Sequence, residues 1–220
     1  MEVKLISYSQ SHYSAWPSAP TPLDLVAFCA RVSNPTNQKN TKTSKKLIKY
    51  LIKNKHWSPL EMVSVCLEIE TTRDIARQIL RHRSFSFQEF SQRYADPTKE
   101  LEFQMRDARL QDTENRQNSI PTDDKELQAK WLSWQMTISK AAKEGYTWAI
   151  ENGIAKEQAR ALLPEGLTVS RLYINGTLRS WVHYIELRKE NGTQLEHAEI
   201  AFAVADVISD IFPLVGENSS

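Results

Sequence analysis

Cysteine is scarce in this chain, and its placement suggests no chemistry. Cys29 and Cys66 are the only two in 220 residues, and both lie in apolar segments without the paired spacing of a zinc site. They read as small buried hydrophobes of a reducing compartment, with no activating group flanking either in sequence. An excess of charge of one sign is also missing. Twenty-eight Lys and Arg against 27 Asp and Glu leave a formal +1, too little for a global field that draws a protein onto nucleic acid or a membrane surface. No apolar run approaches the ~18 residues of a membrane span, and the opening MEVKLISYSQ contains no long apolar stretch, so the expectation is a soluble, cytoplasmic protein. Glycine occurs six times, and neither GxGxxG nor GxxxxGKS/T is present, which excludes the usual dinucleotide and P-loop cradles. Any phosphate must then be held by side chains. His12, His56, His82, His183 and His197 form no HxH or HxxxH pair, so no metal site is expected.

With 40% hydrophobic residues and no Pro-, Gly- or Ser-rich linker, the chain reads as a single domain over residues 1–220. Alternation predicts strands at VKLISYS (3–9), VSVCLEIE (63–70), LEFQMR (101–106) and LTVSRLYIN (167–175). In the second of these Val63, Val65, Leu67 and Ile69 share the buried face. Helical spacing predicts helices over 23–33, 43–54, 71–83, 155–164, 178–188 and 199–212, and a long one after Pro121. On that long helix Leu127, Trp131, Trp134, Ile138 and Ala142 recur near helical spacing, which reads as packing. The lysines of 43–54 read as a solvated face, and QDTENRQNS (111–119) as a polar loop. Strands and helices do not alternate as βαβ units, so the fold class is α+β: a central, mainly antiparallel sheet with flanking helices. NGT occurs at 175–177 and 191–193; Asn-Gly is turn chemistry, and Thr177 can cap the helix that follows.

Charge does concentrate locally. RHRSFSFQEFSQR (81–93) carries Arg81, His82, Arg83 and Arg93 against one carboxylate, Glu89. Just before it, Arg73, Arg77 and Arg81 fall four apart on the predicted 71–83 helix. Stacked like charges oppose folding unless acids or a bound anion compensate them. Phe85, Phe87 and Phe90 read as anchors of an extended segment that points Ser91 and Arg93 to one side. Guanidinium forks for phosphate, a hydroxyl donor and a carboxylate acceptor together make a set suited to a nucleotide. Two other readings stand beside this one. One is a buried ion-pair network around Glu89; the other is a single-strand nucleic-acid binder using the arginines for phosphates and the phenylalanines for stacking.

Arg81-His82-Arg83, separated by seven residues from Ser91, resembles the signature of flavin-dependent thymidylate synthases. The resemblance extends through CARVS (29–33), KHWSPLEM (55–62), Gln78, EFSQRY (89–94), EQARALLP (157–164) and LRSWVHYIELR (178–188), in the family's order. It implies an α+β homotetramer that binds FAD between subunits. That enzyme methylates dUMP to dTMP, with methylenetetrahydrofolate as carbon donor and NADPH as reductant, and uses no cysteine nucleophile.

By position, the resemblance implies that His56, Ser58, Arg81, His82, Arg83, Glu89, Arg179 and His183 meet FAD. Gln78, Arg81, Glu89, Ser91, Gln92 and Arg93 would surround dUMP, with Ser91 and Arg93 on its phosphate and Arg160 arriving from a neighbouring subunit. Arg188 would be the catalytic cation at the uracil ring. Arg188 lies roughly 180° around an ideal helix from Arg179. Either the helix unwinds before Arg188, or the two arginines address different ligands or subunits. His56 also reads as a helix-end residue, Glu89 as an ion-pair partner, and Trp181 and Tyr184 as core aromatics.

Overall fold

The structure is a computed structural model, and residues 1–12 and 21–213 are described here. In chain order the elements are β1 (Glu2–Tyr8), α1 (Pro22–Ala30), α2 (Ser44–Lys53), a 3₁₀ turn at Ser58–Met62, β2 (Ser64–Thr72), α3 (Arg73–Ile79) and β3 (Ser86–Glu89). They continue with α4 (Pro97–Glu100), β4 (Arg109–Gln111), β5 (Ser119–Pro121), α5 (Lys125–Glu151), α6 (Lys156–Ala159), β6 (Val169–Thr177), α7 (Leu178–Lys189) and α8 (Leu195–Ser209).

Four strands form one antiparallel sheet in the order β1-β2-β6-β3, while β4 and β5 make a separate hairpin. Alternation along β2 and β6 drives the layering. Val65, Leu67 and Ile69 of β2 and Leu172 and Ile174 of β6 are buried, in one core with α1, α2, α3, α7 and α8. The other face of these strands is polar: Glu70 pairs with Arg171 directly across the β2–β6 register, and Lys4 of β1 reaches Glu68 of β2 at 3.6 Å. This is the α+β arrangement read from the sequence, with Val63, Val65, Leu67 and Ile69 all fully buried. Trp181 and Tyr184, 1% and 2% exposed, are core residues, and the Trp181 indole N–H donates to the Val65 carbonyl at 3.0 Å.

Four local expectations change. The helix expected over 71–83 ends at Ile79, and Arg81 N–H turns back to the Gln78 carbonyl at 3.3 Å, so Arg81 leaves the face that Arg73 and Arg77 share. The segment 101–106 is not a strand; it makes one bridge, Phe103 to Thr168, and its Arg106 backbone N–H donates to Gln135 Oε1 while the Arg106 carbonyl accepts from Gln135 Nε2. The polar 111–119 segment is ordered at the tip of the β4–β5 hairpin, where the Asp112 carboxylate accepts from Glu114 and Asn115 N–H. Asn175-Gly176 is no turn: both lie in β6, opposite Cys66 and Val65, and the glycine is required because a Cβ there would run into the Phe85 ring. Thr177 does cap α7, its hydroxyl accepting from Ser180 N–H at 3.3 Å, and Gly192 does take a positive φ of 92°.

The long helix holds the largest correction. Its buried stripe is Gln135, Ser139, Ala142, Tyr146 and Ala149. Of the residues expected to pack, only Ala142 does so. Leu127, Trp131, Trp134 and Ile138 lie on a different stripe and are 39–55% exposed. A helix carries one apolar spacing per face, and spacing alone does not say which face meets the rest of its own chain.

Candidate active site

The turn between α3 and β3 delivers the basic segment, and aromatic packing holds it down. Phe85 sits with its ring centroid 4.5 Å from Trp181, and Phe87 follows at 6.2 Å from Phe85. Both pack against the main core, as anchors rather than as open stacking platforms. His82, between the two arginines, is thereby placed beside α7.

There Arg188 Nε donates to His82 Nε2 at 2.9 Å. The acceptor nitrogen fixes His82 as the neutral Nδ1–H tautomer. Burial, then Arg188 and Arg81, push its pKa down to about 4. His197 of α8 lies behind, with ring centroids 6.3 Å apart, and burial together with Arg188 and His82 lowers its pKa to about 3. Both imidazoles are neutral near pH 7, so the Arg188 guanidinium sits beside neutral rings. His197 Nδ1 is 3.2 Å from the Gln78 carbonyl oxygen and its Nε2 is 3.2 Å from the Tyr184 hydroxyl. Gln78, expected at the nucleotide, is thus joined to His82 and Arg188 in one cluster. Arg81 and Arg83 are exposed, and among the described residues neither they nor Arg188 has an ion-pair partner.

A second group lies across α3. A cleft of about 300 Å³ is lined by Arg73, Arg77, Gln92, Arg160, Glu157 and Glu165, among others. Arg73 is nearly buried and bonds Glu89 at 3.3 Å, and Ser170 donates to the same carboxylate at 2.9 Å. Burial lowers the Arg73 pKa, against the pull of Glu89. Arg77 meets Glu165 at 3.2 Å, and Arg93 meets Glu157 at 3.3 Å, both in exposed pairs. Ser91 Oγ accepts from Arg93 N–H at 3.4 Å. Gln92, 5% exposed, has a buried side-chain nitrogen with no hydrogen-bond partner among the described residues. Arg160, with its Nε on the Glu157 carbonyl at 3.2 Å, shares this cleft within one chain.

The third group surrounds the 3₁₀ turn. His56 and Ser58 are exposed there, His183 packs edge-on against Trp57 with centroids 4.4 Å apart, and Arg179 pairs with Glu61. Helix α7 runs unbroken through both arginines, so the unwinding before Arg188 does not occur; Arg179 meets Glu61 and Arg188 meets His82. Among the described residues no hydrogen bond or ion pair joins one of these groups to another.

Sequence reasoning gave no role to Glu165, which meets Arg77 of the arginine row, or to Glu157, which meets Arg93, both from far along the chain, nor to Tyr184, Gln194 and His197 behind Gln78. EQARALLPEG (157–166) carried both carboxylates in view, but nothing local said which arginine each would meet.

Residues 14–214 match the sequence family described as Thymidylate synthase complementing protein. A protein of Paramecium bursaria Chlorella virus 1 named probable flavin-dependent thymidylate synthase is 45% identical over 217 residues, 99% of this chain and 98% of its own length. The flavin-dependent thymidylate synthase of Synechocystis is 46% identical over 216 residues, 98% of this chain and 97% of its own. This chain belongs to the flavin-dependent thymidylate synthase family. A crystal structure of a UMP/dUMP methylase PolB from Streptomyces cacaoi, bound with 5-Br dUMP, superposes with a TM-score of 0.78 at 24% identity. It covers 98% of this chain and 93% of the other, and shows that the fold is shared. Among the described residues no helix is long and apolar enough to cross a membrane, and no three His, Cys, Asp or Glu are grouped to hold a metal ion.

Proposed function

We propose that this protein methylates dUMP to dTMP, taking its carbon from methylenetetrahydrofolate and its reducing equivalents from NADPH through FAD. The observation that carries the reading is the Arg188–His82 bond. It ties the helix bearing the proposed catalytic cation to the Arg81–Arg83 triplet, and no carboxylate of the described residues pairs with any of these three arginines.

The residues fit a flavin dinucleotide. Arg81 and Arg83 are exposed, uncompensated guanidinium forks suited to a diphosphate. His56, Ser58 and His183 offer polar and aromatic edges near the 3₁₀ turn, and Arg179 could exchange Glu61 for an anionic ligand. Bound and reduced, FAD supplies the electrons that turn a methylene into a methyl group.

The chain's own residues bind, orient and polarise. Arg188 beside a uracil carbonyl stabilises negative charge as the ring is activated at its methyl-accepting carbon, and the neutral His82 lone pair holds the guanidinium in place without competing charge. Ser91 and Arg93 hold the nucleotide phosphate, with Arg93 giving up Glu157. That exchange is easy because an exposed ion pair is worth only ~0–1 kcal/mol, whereas a phosphate accepts a charge-assisted fork. Gln92 offers its unpartnered N–H groups and Gln78 faces the base. Glu89, held by Arg73 and Ser170, lies on the nucleotide side of the cluster, where its carboxylate would meet dUMP and the flavin.

A homotetramer with active sites shared between subunits completes this reading. Its support is twofold. No hydrogen bond or ion pair of the described residues joins the three groups within one chain. The α5 stripe of Leu127, Trp131, Trp134 and Ile138 stands exposed, and Leu132 and Met136 of the same helix line an apolar groove of about 740 Å³ with Phe103 and Met105. In that assembly Arg160 reaches the nucleotide of a neighbour.

The test is direct. Purified protein loaded with FAD should be yellow and should release tritium from dUMP labelled at the methyl-accepting carbon when given methylenetetrahydrofolate and NADPH. Colourless protein that cannot be reconstituted with FAD, or yellow protein that ignores dUMP, would refute the proposal.

A further inference from the structure

The amide of Gln78 has two nearly isosteric orientations that exchange a donor edge for an acceptor edge, and the buried chain behind it allows only one. Glu196 starts that chain. It is 5% exposed; burial alone would raise its pKa, but its own backbone N–H, Arg109, Gln194 and Arg106 outweigh burial and hold it below the ordinary carboxylate value. Arg109 lies 2.7 Å from one of its oxygens and Arg106 3.8 Å from the same oxygen.

An ionised carboxylate only accepts. The Gln194 group 3.0 Å from Glu196 must therefore be its NH₂, which turns the Gln194 carbonyl to Gln78. Gln78 must then donate its own NH₂ across that 2.8 Å contact, and its carbonyl edge faces His197 at 3.2 Å. His197 answers with Nδ1–H, leaving Nε2 to accept the hydroxyl proton of Tyr184, whose pKa burial raises. Each link satisfies the next in the same sense, so one charge sets the direction of the whole row.

We propose that Glu196, Gln194 and His197 are positioning residues that lock the Gln78 amide with its carbonyl edge turned into the protein, leaving an N–H to meet a carbonyl oxygen of the pyrimidine. This rests on the reading above that Gln78 faces the base. The chemical consequence is selectivity. Uracil and cytosine share the C2 oxygen and differ at C4, where an N–H meets the exocyclic oxygen of uracil well and the amino group of cytosine badly, so with the contact at C4 the row favours uracil over cytosine nucleotides.

FAD-loaded wild type, H197N and H197F are titrated calorimetrically with dUMP and with dCMP. Asparagine keeps a donor near the place of Nδ1–H; phenylalanine removes it. H197F should bind dUMP about tenfold more weakly, the cost of one lost hydrogen bond, and its preference for dUMP over dCMP should shrink. H197N should stay within about threefold of wild type in dUMP affinity, since the bond is kept. Q194L, at a partly exposed position, removes the acceptor for the Gln78 N–H and should lose the same preference with FAD and melting temperature retained. Equal behaviour of H197F and H197N, or an undiminished dUMP preference in Q194L, would overturn the inference. Wild type that fails to bind dUMP would sink the functional reading first, and this inference with it, before any variant is made.

Discussion

Gly176→Ala puts the connection between fold and site to a severe test. Gly176 is buried in β6, opposite Val65, and a Cβ built on it lands on the Phe85 ring, 3.3 Å from Cγ and closer still to Cδ1 and Cε1. The nearest obstacle is a rigid ring whose far side is held by Trp181, so the ring cannot yield by a small rotation. Overpacking of this kind costs ~1–3 kcal/mol, and displacing the ring forfeits an aromatic pair worth about 0.5–1.5 kcal/mol. Replacing glycine in a strand interior returns ~0.5–1 kcal/mol. The balance is a loss centred near about 2 kcal/mol (roughly 0.5–4), which at roughly 2–4 °C per kcal/mol for a chain of this size lowers Tm by ~4–8 °C at the centre of that range. Phe85 anchors the segment that carries Arg81, His82 and Arg83, so FAD retention should fall with stability. Melting followed by circular dichroism, with flavin absorbance after desalting, reads both effects. In the Phe85→Ala background the clash is gone, so the double variant should be more stable than the sum of the singles predicts by about 1–3 kcal/mol. A wild-type Tm for Gly176→Ala, or strict additivity with Phe85→Ala, would refute the packing argument.

Other expectations follow from the same geometry. Arg188→Ala should retain flavin and lose dTMP formation, while Arg81→Ala should weaken flavin retention; equal loss of both properties in both variants would mean that the positions serve folding alone. His82 and His197 have proton affinities depressed to about 4 and about 3 from an ordinary 6.5, mainly by burial. As the pH falls below 6.5 the unfolded chain therefore binds protons that the folded chain refuses, and stability drops through that window. Urea midpoints measured from neutral pH down to about 5 should decline, and less steeply in His197→Asn; a flat profile would contradict the placement of both rings. Trp131→Glu with Trp134→Glu should dissociate the assembly on size-exclusion chromatography and abolish turnover. An active variant of unchanged size would remove the α5 stripe from the interface.

The parts of this molecule that were legible in the sequence are those decided by neighbours along the chain. Strand-like composition located β1 and β6, and strict alternation located β2, whose inward set was readable residue by residue because period 2 leaves no choice once one face is apolar. The same rule misplaced 101–106, whose pairing in the structure is the isolated Phe103–Thr168 bridge. The concentration of cations at 81–93 was visible, but its compensation was not: Glu157 and Glu165 arrive through tertiary structure, and the row Arg73, Arg77, Arg81 is broken by a helix end that periodicity did not reveal. Glu89 with Arg73 shows that one of the competing readings, a structural ion pair, is physically present beside the proposed nucleotide role. The α5 aromatics were read as core because spacing reports apolar faces, whichever chain covers them.

The central claim is that the arginines around 73–93 and Arg188 serve anionic and polar groups of a nucleotide from outside the chain. A crystal structure of the FAD-loaded protein with dUMP tests it directly. The account predicts the phosphate against Ser91 and Arg93, with Arg93 released from Glu157, and the pyrimidine ring beside Arg188 and Gln78. Intact Arg73–Glu89, Arg77–Glu165 and Arg93–Glu157 pairs, with no nucleotide at these residues and no cleft between subunits, would contradict it.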